Sequence, residues 1–442
     1  MIISSFAVIW IILLLGAICK GEKWVIYLVI LSYIFQAAAI VVWGDRILTP
    51  NTFSCIVYIL FRIFQKPDNK FRIPKELFVL GFFLLAVLFS SLIAPLLWNG
   101  ITYMAATESV VKMKYEGSVS WFSILELFIQ YVCILLVHNS NKINMNDVDK
   151  VLSITIIIVA IVGIMQYASL LRILPQDNLI IKMVYCSNNN IAYNTLIAKG
   201  TRYTSLLSLR MHSTFIEPSY FGGYISIVLF IYLHMTNNKI NIIKRITLII
   251  MGVLSFSATA YVGMALAFAI KLFIEKKRKI SIKRVLSYMV LFLCAFFIIY
   301  KFQLISIINN RIFNKLSSGS AYIRTAWNKS AMEVFVSTLG LGLGHKFRGS
   351  SMVFTLLGAY GILGTITYIL FIMLLIWGLW ENKESVFTKV YYWALLLIII
   401  LQFISIGILN YCMFWMMLLM LCIVKGINHE ITASDNSSTA LL

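Results

Sequence analysis

Hydrophobic positions along this chain do not alternate and do not follow an amphipathic stripe. They form continuous apolar runs of roughly 14 to 29 residues, separated by short polar breaks. About 20 such residues cross a bilayer as a helix, and only helices or closed barrels satisfy the backbone there. Continuous rather than alternating runs exclude a barrel. The predicted spans are 2–18, 24–43, 52–65, 76–97, 119–138, 151–170, 218–236, 285–304, 352–380, 390–409 and 411–425. The first run lacks the basic n-region and small-residue cleavage site of a signal peptide, so it is read as a retained helix.

The stretch 246–274 has a different pattern. Its 29 residues lie between two basic clusters, Lys239/Lys244/Arg245 and Lys276/Lys277/Arg278/Lys279/Lys283/Arg284. Both clusters on the cytoplasmic side require the chain to enter and return within it. Two full crossings need about 40 residues, so two short helices are expected, breaking near Ser255-Phe256-Ser257-Ala258-Thr259. Small hydroxyl side chains suit such a break because they satisfy freed backbone groups. The expected fold class is therefore all-α, a single polytopic membrane domain over 1–442 with about 12 or 13 segments. The positive-inside rule then leaves two long loops, 171–217 and 305–351, facing outward.

Composition agrees with this. The chain is 61% hydrophobic and 12% charged, with a mean hydropathy of +0.90, against about 25% charged residues in soluble domains. A net charge of +20 would suggest nucleic acid in a soluble protein. Here the basic blocks lie between spans, where they set topology and meet anionic lipid, so membrane lipids are the expected partner and nucleic acid is not. The seven cysteines and five histidines show no metal-ligand spacing. With a lone cysteine, Cys186, in the long outer loops, no structural disulfide is expected.

Long loops translocate regardless of their charge, so the basic excess of the two outer loops is free to report function. The first loop carries Arg172, Lys182, Lys199, Arg202 and Arg210, and ends in Arg210-Met-His212-Ser-Thr-Phe-Ile-Glu217-Pro218-Ser219-Tyr220-Phe-Gly222-Gly223. The second presents Ser320, Arg324 and Trp327. Gly340-Leu-Gly342-Leu-Gly344-His345-Lys346-Phe-Arg348 and Tyr360-Gly361-Ile-Leu-Gly364 follow. Both bring arginines and glycines to a helix entrance. Helix N-termini and glycine-rich turns offer N–H groups to anions, and arginine forks match phosphate oxygens. Two such segments converging would bind a diphosphate. Each has a plainer reading as well. Glu217-Pro218-Ser219 also suits a simple helix start, the glycine run a tight turn, and single arginines headgroup anchors.

The layout of spans and loops resembles the O-antigen polymerases and the related O-antigen ligases. The Arg210–Ser219 block is similar to the polymerase pattern Arg-x-x-Gly-x-Phe-x-Glu-Pro-Ser, with Ser213 where glycine is common. The series Ser320, Arg324, Trp327, Gly342, Gly344, Tyr360, Gly361 and Gly364 is similar too, as is the Ser255-x-Ser257-Ala-Thr break. The resemblance implies a GT-C-like fold in the bacterial cytoplasmic membrane. It also implies inverting glycosyl transfer between undecaprenyl-pyrophosphate-linked oligosaccharides, with no cofactor and no metal, and a chain-length regulator as a partner that the family allows. Arg210, Arg324 and Arg348 would then stabilise the pyrophosphate, and Glu217 or His212 would take the acceptor proton. Arg202, His345, Gly342 and Gly344 would bind substrate, and Trp327 and Tyr220 would meet sugar or the interface. The alternatives are the ligase reaction, which uses a histidine of the second long loop and so draws attention to His345, and a flippase or other transporter.

Overall fold

The computed structural model describes residues 2–43, 46–65, 71–104, 111–140, 142–170, 173–174, 210–275, 319–381, 385–405 and 407–439. It is mostly helical. In chain order the helices are α1 Ser5–Lys20, α2 Glu22–Ser32, α3 Pro50–Ile63, α4 Lys75–Leu97, α5 Trp121–His138, α6 Met145–Leu170 and α7 Pro218–His234. Then come α8 Lys239–Leu254, α9 Ala258–Glu275, α10 Gly319–Ser337, α11 Met352–Thr355, α12 Gly361–Trp380, α13 Val386–Ser405 and α14 Cys412–Thr439. Five of the described helical stretches are long and apolar enough to cross a membrane: Lys75–Leu97, Trp121–His138, Met145–Ser169, Met352–Trp380 and Val386–Ile404. The expected span 285–304 lies outside the described residues, as do 171–172 and 175–209 of the first long loop and 305–318 of the second.

The helix α4 shows why the bundle needs an apolar surround. Phe78, Phe82, Leu85, Phe89, Leu92 and Leu96 are exposed at alternating spacings of four and three, while Leu77, Leu80, Leu84, Val87, Ser91 and Ala94 are buried. An exposed stripe of this kind, continuous along a helix, fits lipid rather than water.

The sequence 24–43 does not form the single helix expected of it. α2 ends at Ser32, and the rest runs irregularly into β2 (Val41–Trp43). Pairing of β2 with β1 (Ile2–Ile3) and β3 (Arg46–Leu48) makes a three-stranded antiparallel sheet, with Ile2↔Val42 and Val42↔Ile47 in register. Tertiary partners take over the backbone groups: Ala37 N–H donates to the Thr214 carbonyl at 3.0 Å and Ile40 N–H to Leu48 at 2.8 Å. Tyr33, Ile34, Phe35 and Ala37 to Ile40 are all buried, the condition under which irregular backbone is tolerated at membrane depth. A second, two-stranded sheet pairs β4 (Thr102–Met104) with β5 (Lys112–Lys114). An all-α description is thus right for the bundle and misses two small sheets at one end of it.

The expected break in 246–274 is present, between Leu254 and Ala258. Phe256 takes a left-handed φ of 45°, and the Ser255 hydroxyl accepts from Ser257 N–H at 3.3 Å. α8 runs antiparallel to α7, since Arg245 bonds the Tyr232 and Met235 carbonyls and Gly252 faces Ile225. α9 runs parallel to α7, with Gly222 against Ala260 and Gly263 against Ser226. The chain therefore turns back at Ser255–Ser257. The first loop is pinned to that turn by Met211 N–H donating to the Leu254 carbonyl at 3.1 Å.

The opposite end of the bundle carries a repeated device, a carboxylate that meets one cation and one tyrosine hydroxyl. Glu22 meets Arg62 at 3.1 Å and Tyr58 at 2.9 Å. Asp147 meets Lys23 at 2.8 Å and Tyr27 at 2.7 Å. Asp149 meets Lys244 at 3.4 Å and Tyr232 at 2.8 Å. Glu76 meets Lys425 at 2.8 Å and Tyr392 at 2.5 Å. Each set ties helices distant in sequence, and each acid meets a cation together with a hydroxyl donor.

Candidate functional site

The site is built around an interruption of the apolar run 352–380. After α11 the chain takes a wide π turn, Leu356–Tyr360, and restarts at Gly361 with φ 62° and ψ −154°, a conformation only glycine adopts readily. The glycine run docks against that turn. Leu343 and Gly344 N–H donate to the Gly358 and Ala359 carbonyls at 2.9 and 2.8 Å, and Ile362 N–H donates to the Gly340 carbonyl at 2.7 Å. From α4, the Ser90 hydroxyl donates to Ala359 at 3.1 Å, and Ser91 Oγ accepts from His345 N–H at 2.9 Å.

These bonds decide between the two readings of Gly342 and Gly344. Gly342 N–H is taken by Thr338 Oγ1 at 3.0 Å and Gly344 N–H by Ala359, so neither amide is available to cradle a phosphate. Both glycines are buried and left-handed, with φ near 80° and 75°. A Cβ on Gly342 would lie 2.3 Å from the Ala359 carbonyl oxygen. Their substrate-binding role is replaced by a packing one: they let two backbones touch.

The turn so fixed delivers His345, Lys346, Phe347 and Arg348 to a cavity of about 180 Å³, completed by Ser120, Ser123, Thr355, Tyr360 and the Gly407–Asn410 link between α13 and α14. His345 Nδ1 bonds the Tyr360 hydroxyl at 2.5 Å, with the two rings nearly parallel at 15°. Lys346 Nζ donates to Ser118 Oγ at 2.6 Å. Burial, and after it the Arg348 charge, push the His345 imidazole down to about 4. It is thus neutral at neutral pH and acts by hydrogen bonding, leaving Arg348 and Lys346 as the cations of the cavity.

The low value has a stability consequence. The unfolded chain binds a proton at His345 near pH 6.5 and the folded chain near 4. The contribution is complete above 6.5 and lost as pH falls towards 4, at most about 3 kcal/mol. Thermal unfolding in detergent should therefore steepen in its pH dependence over that window for the native protein, and flatten in His345→Gln.

The other described sequence candidates lie outside the cavity lining. Tyr220 is buried, its carbonyl accepting from Tyr411 at 3.0 Å and its ring packed on Tyr411 at 5.3 Å. Tyr411 follows the cavity-lining Asn410, so this bond holds the Glu-Pro-Ser helix entrance near the cavity without placing it in the lining. Enclosure makes Tyr220 a packing residue rather than an open sugar platform. Glu217 caps α7 by position, Pro218 follows at the first turn, and the exposed carboxylate accepts from Ser219 Oγ at 3.0 Å. The plain helix-start reading is thus correct and still leaves an accessible carboxylate.

His212 is held in the 210–217 turn, donating from Nδ1 to the Phe215 carbonyl at 2.7 Å, while Gln166 Oε1 accepts from its backbone N–H and that of Ser213. Ser213 has a φ of 49°, which accounts for the liking for glycine at such a position. Arg210 is half-buried beside it. Arg324 is exposed and Trp327 half-buried on α10, which packs on the cavity's rim through Asn328–Ser350 and through Met104 N–H to Ser330 Oγ at 2.8 Å. None of Arg210, His212, Glu217, Arg324 and Trp327 lines the cavity itself. Arg202 lies outside the described residues.

Two residues near the cavity escaped the sequence reading. Asn410 lines it, and Glu126 on α5 accepts from Asn410 Nδ2 at 3.1 Å and from Thr52 Oγ1 at 3.1 Å. Among the described residues no cation pairs with Glu126. The available signal was a lone carboxylate inside the apolar run 119–138, a position where ionisable groups are costly and tend to be functional. Compared with known proteins, the chain matches no family model, no curated protein and no solved structure.

Proposed function

We propose that this chain is a GT-C-like polysaccharide polymerase of a bacterial cytoplasmic membrane, joining undecaprenyl-pyrophosphate-linked oligosaccharides by inverting glycosyl transfer. The observation that carries the reading is a cavity lined by Lys346 and Arg348, beside which the first-loop helix entrance is tied through Tyr220 and Tyr411. The Glu217-Pro218-Ser219-Tyr220 helix entrance bonds Tyr411, next to Asn410 of the same lining. In this reading Arg348 and Lys346 neutralise the departing pyrophosphate, with Arg324 and Arg210 on the approach. Neutral His345, held by Tyr360, orients substrate by hydrogen bonding. An acceptor hydroxyl attacks the anomeric carbon, its bond to the pyrophosphate oxygen breaks, and Glu217 or His212 takes the hydroxyl proton.

The test is deletion of the gene followed by gel separation of the surface glycan. Collapse of a ladder to core plus one repeat unit is the expected result. Loss of all lipid-A-linked glycan with long undecaprenyl-linked chains persisting would instead mean the ligase reaction, which the placement of His345 at the cavity would accommodate. An unchanged ladder would sink both. In complementation, Arg348→Ala should lower polymer formation by about 100-fold or more, the usual loss on removing one preorganised donor from developing negative charge. Protein level and thermal stability should stay close to those of the unaltered chain, because Arg348 is exposed.

A further inference from the structure

The cavity has a second pole, opposite in character to Lys346 and Arg348. Glu126 takes Asn410 Nδ2 on one oxygen and Thr52 Oγ1 on the other, and Thr52 is steadied by Thr49 Oγ1 at 3.0 Å. The Asn410 amide thus turns its NH2 towards Glu126 and its carbonyl oxygen the other way. That oxygen is enclosed and has no donor. Gln130 and Gln402 also hold enclosed acceptors without partners, but they do not line the cavity and Asn410 does. An enclosed acceptor left unmatched costs about 1–3 kcal/mol, which a ligand's O–H or N–H would remove.

We propose that Asn410, oriented by Glu126, is a substrate-binding residue that accepts a hydrogen bond from a sugar hydroxyl of the lipid-linked oligosaccharide. The pyrophosphate of the same ligand lies against Lys346 and Arg348. The assignment rests on the transferase reading of the cavity and adds to it the side on which the sugar is recognised. The ligand must then carry an anion and a hydrogen-bond donor together, so bare polyprenyl pyrophosphate fills half of the site. Glu126 is a positioning residue. Its replacement by glutamine supplies an NH2, lets the Asn410 amide reverse, and turns an acceptor into a donor without changing shape.

The experiment measures binding to the full-length protein in detergent with two probes. One is undecaprenyl pyrophosphate, and the other is the lipid-linked repeat unit extracted from cells lacking the gene. The unaltered protein should bind the repeat unit more tightly than the bare pyrophosphate. Glu126→Gln and Asn410→Leu should weaken the repeat unit by about five- to tenfold and leave undecaprenyl pyrophosphate unchanged. Arg348→Ala should weaken both. Asn410→Leu leaves a Glu126 oxygen without its donor and risks misfolding, which is why the isosteric Glu126→Gln accompanies it. Retention of the full preference in Glu126→Gln, or an equal loss for both probes, would overturn the Asn410 assignment alone. Failure of the unaltered protein to bind either probe would overturn the transferase reading, and the assignment with it.

Discussion

A Gly361→Ala protein is expected to lose at least about 3 kcal/mol of stability and to fall sharply in membrane abundance. Two costs add at this position. The backbone sits at φ 62° and ψ −154°, a region essentially reserved to glycine, and a side chain there costs about 1–3 kcal/mol. In addition, a Cβ would stand 2.0 Å from the Gly340 carbonyl oxygen and 2.6 Å from the Leu341 carbonyl carbon. Those are backbone atoms held by the bond from Ile362 to Gly340, so they cannot swing aside as a side chain end would. The glycine turn would have to part from the π turn, carrying His345 and Arg348 away from the cavity. Thermal unfolding in detergent and quantitative membrane blotting read the effect. Gly16→Ala is the control: that glycine is helical and an added Cβ meets nothing within 4 Å, so the substitution should be neutral or stabilising by up to about 1 kcal/mol.

Lys425→Met should cost about 3–5 kcal/mol, the usual penalty for stranding one member of an enclosed ion pair. Lys425 and Glu76 lie 2.8 Å apart, with side chains 11% and 8% exposed, and the Tyr392 hydroxyl bonds both. Removing the ammonium leaves Glu76 with the Tyr392 hydroxyl as its side-chain donor. The double replacement Glu76→Gln/Lys425→Met should recover most of the loss, because a neutral amide is adequately served by Tyr392. Thermal midpoints of the four proteins form a double-mutant cycle. Strictly additive losses would show that the pair does not act as a unit. The set joins the start of α4, the body of α13 and α14, so it is a place where helix assembly and charge burial are one problem.

Much of the helical layout was legible in the sequence. The run 76–97 became Lys75–Leu97, 119–138 became Trp121–His138, and 218–236 became Pro218–His234. The break in 246–274 was legible too, from a length too short for two crossings and from the hydroxyl residues at its centre. The start of α7 at Glu217-Pro218 follows from the same local chemistry. Hydropathy, run length, proline and charge are properties of neighbours in the chain, and a helix satisfies its backbone from neighbours in the chain.

The tertiary structure decided what depends on partners far away. Residues 33–40 are mostly apolar, yet leave the helix, with the Ala37 and Ile40 N–H groups taken by Thr214 and Leu48. The glycine run suited a tight turn more readily than an anion, and the structure has Ala359 and Thr338 occupying the Gly344 and Gly342 amides. Glu126 stands out as a lone carboxylate in an apolar run, but its partner Asn410 is 284 positions away, and only folding joins them at a cavity. The physical reason is common to all three: a polar group taken from water must find a partner, and sequence names the group without naming the partner.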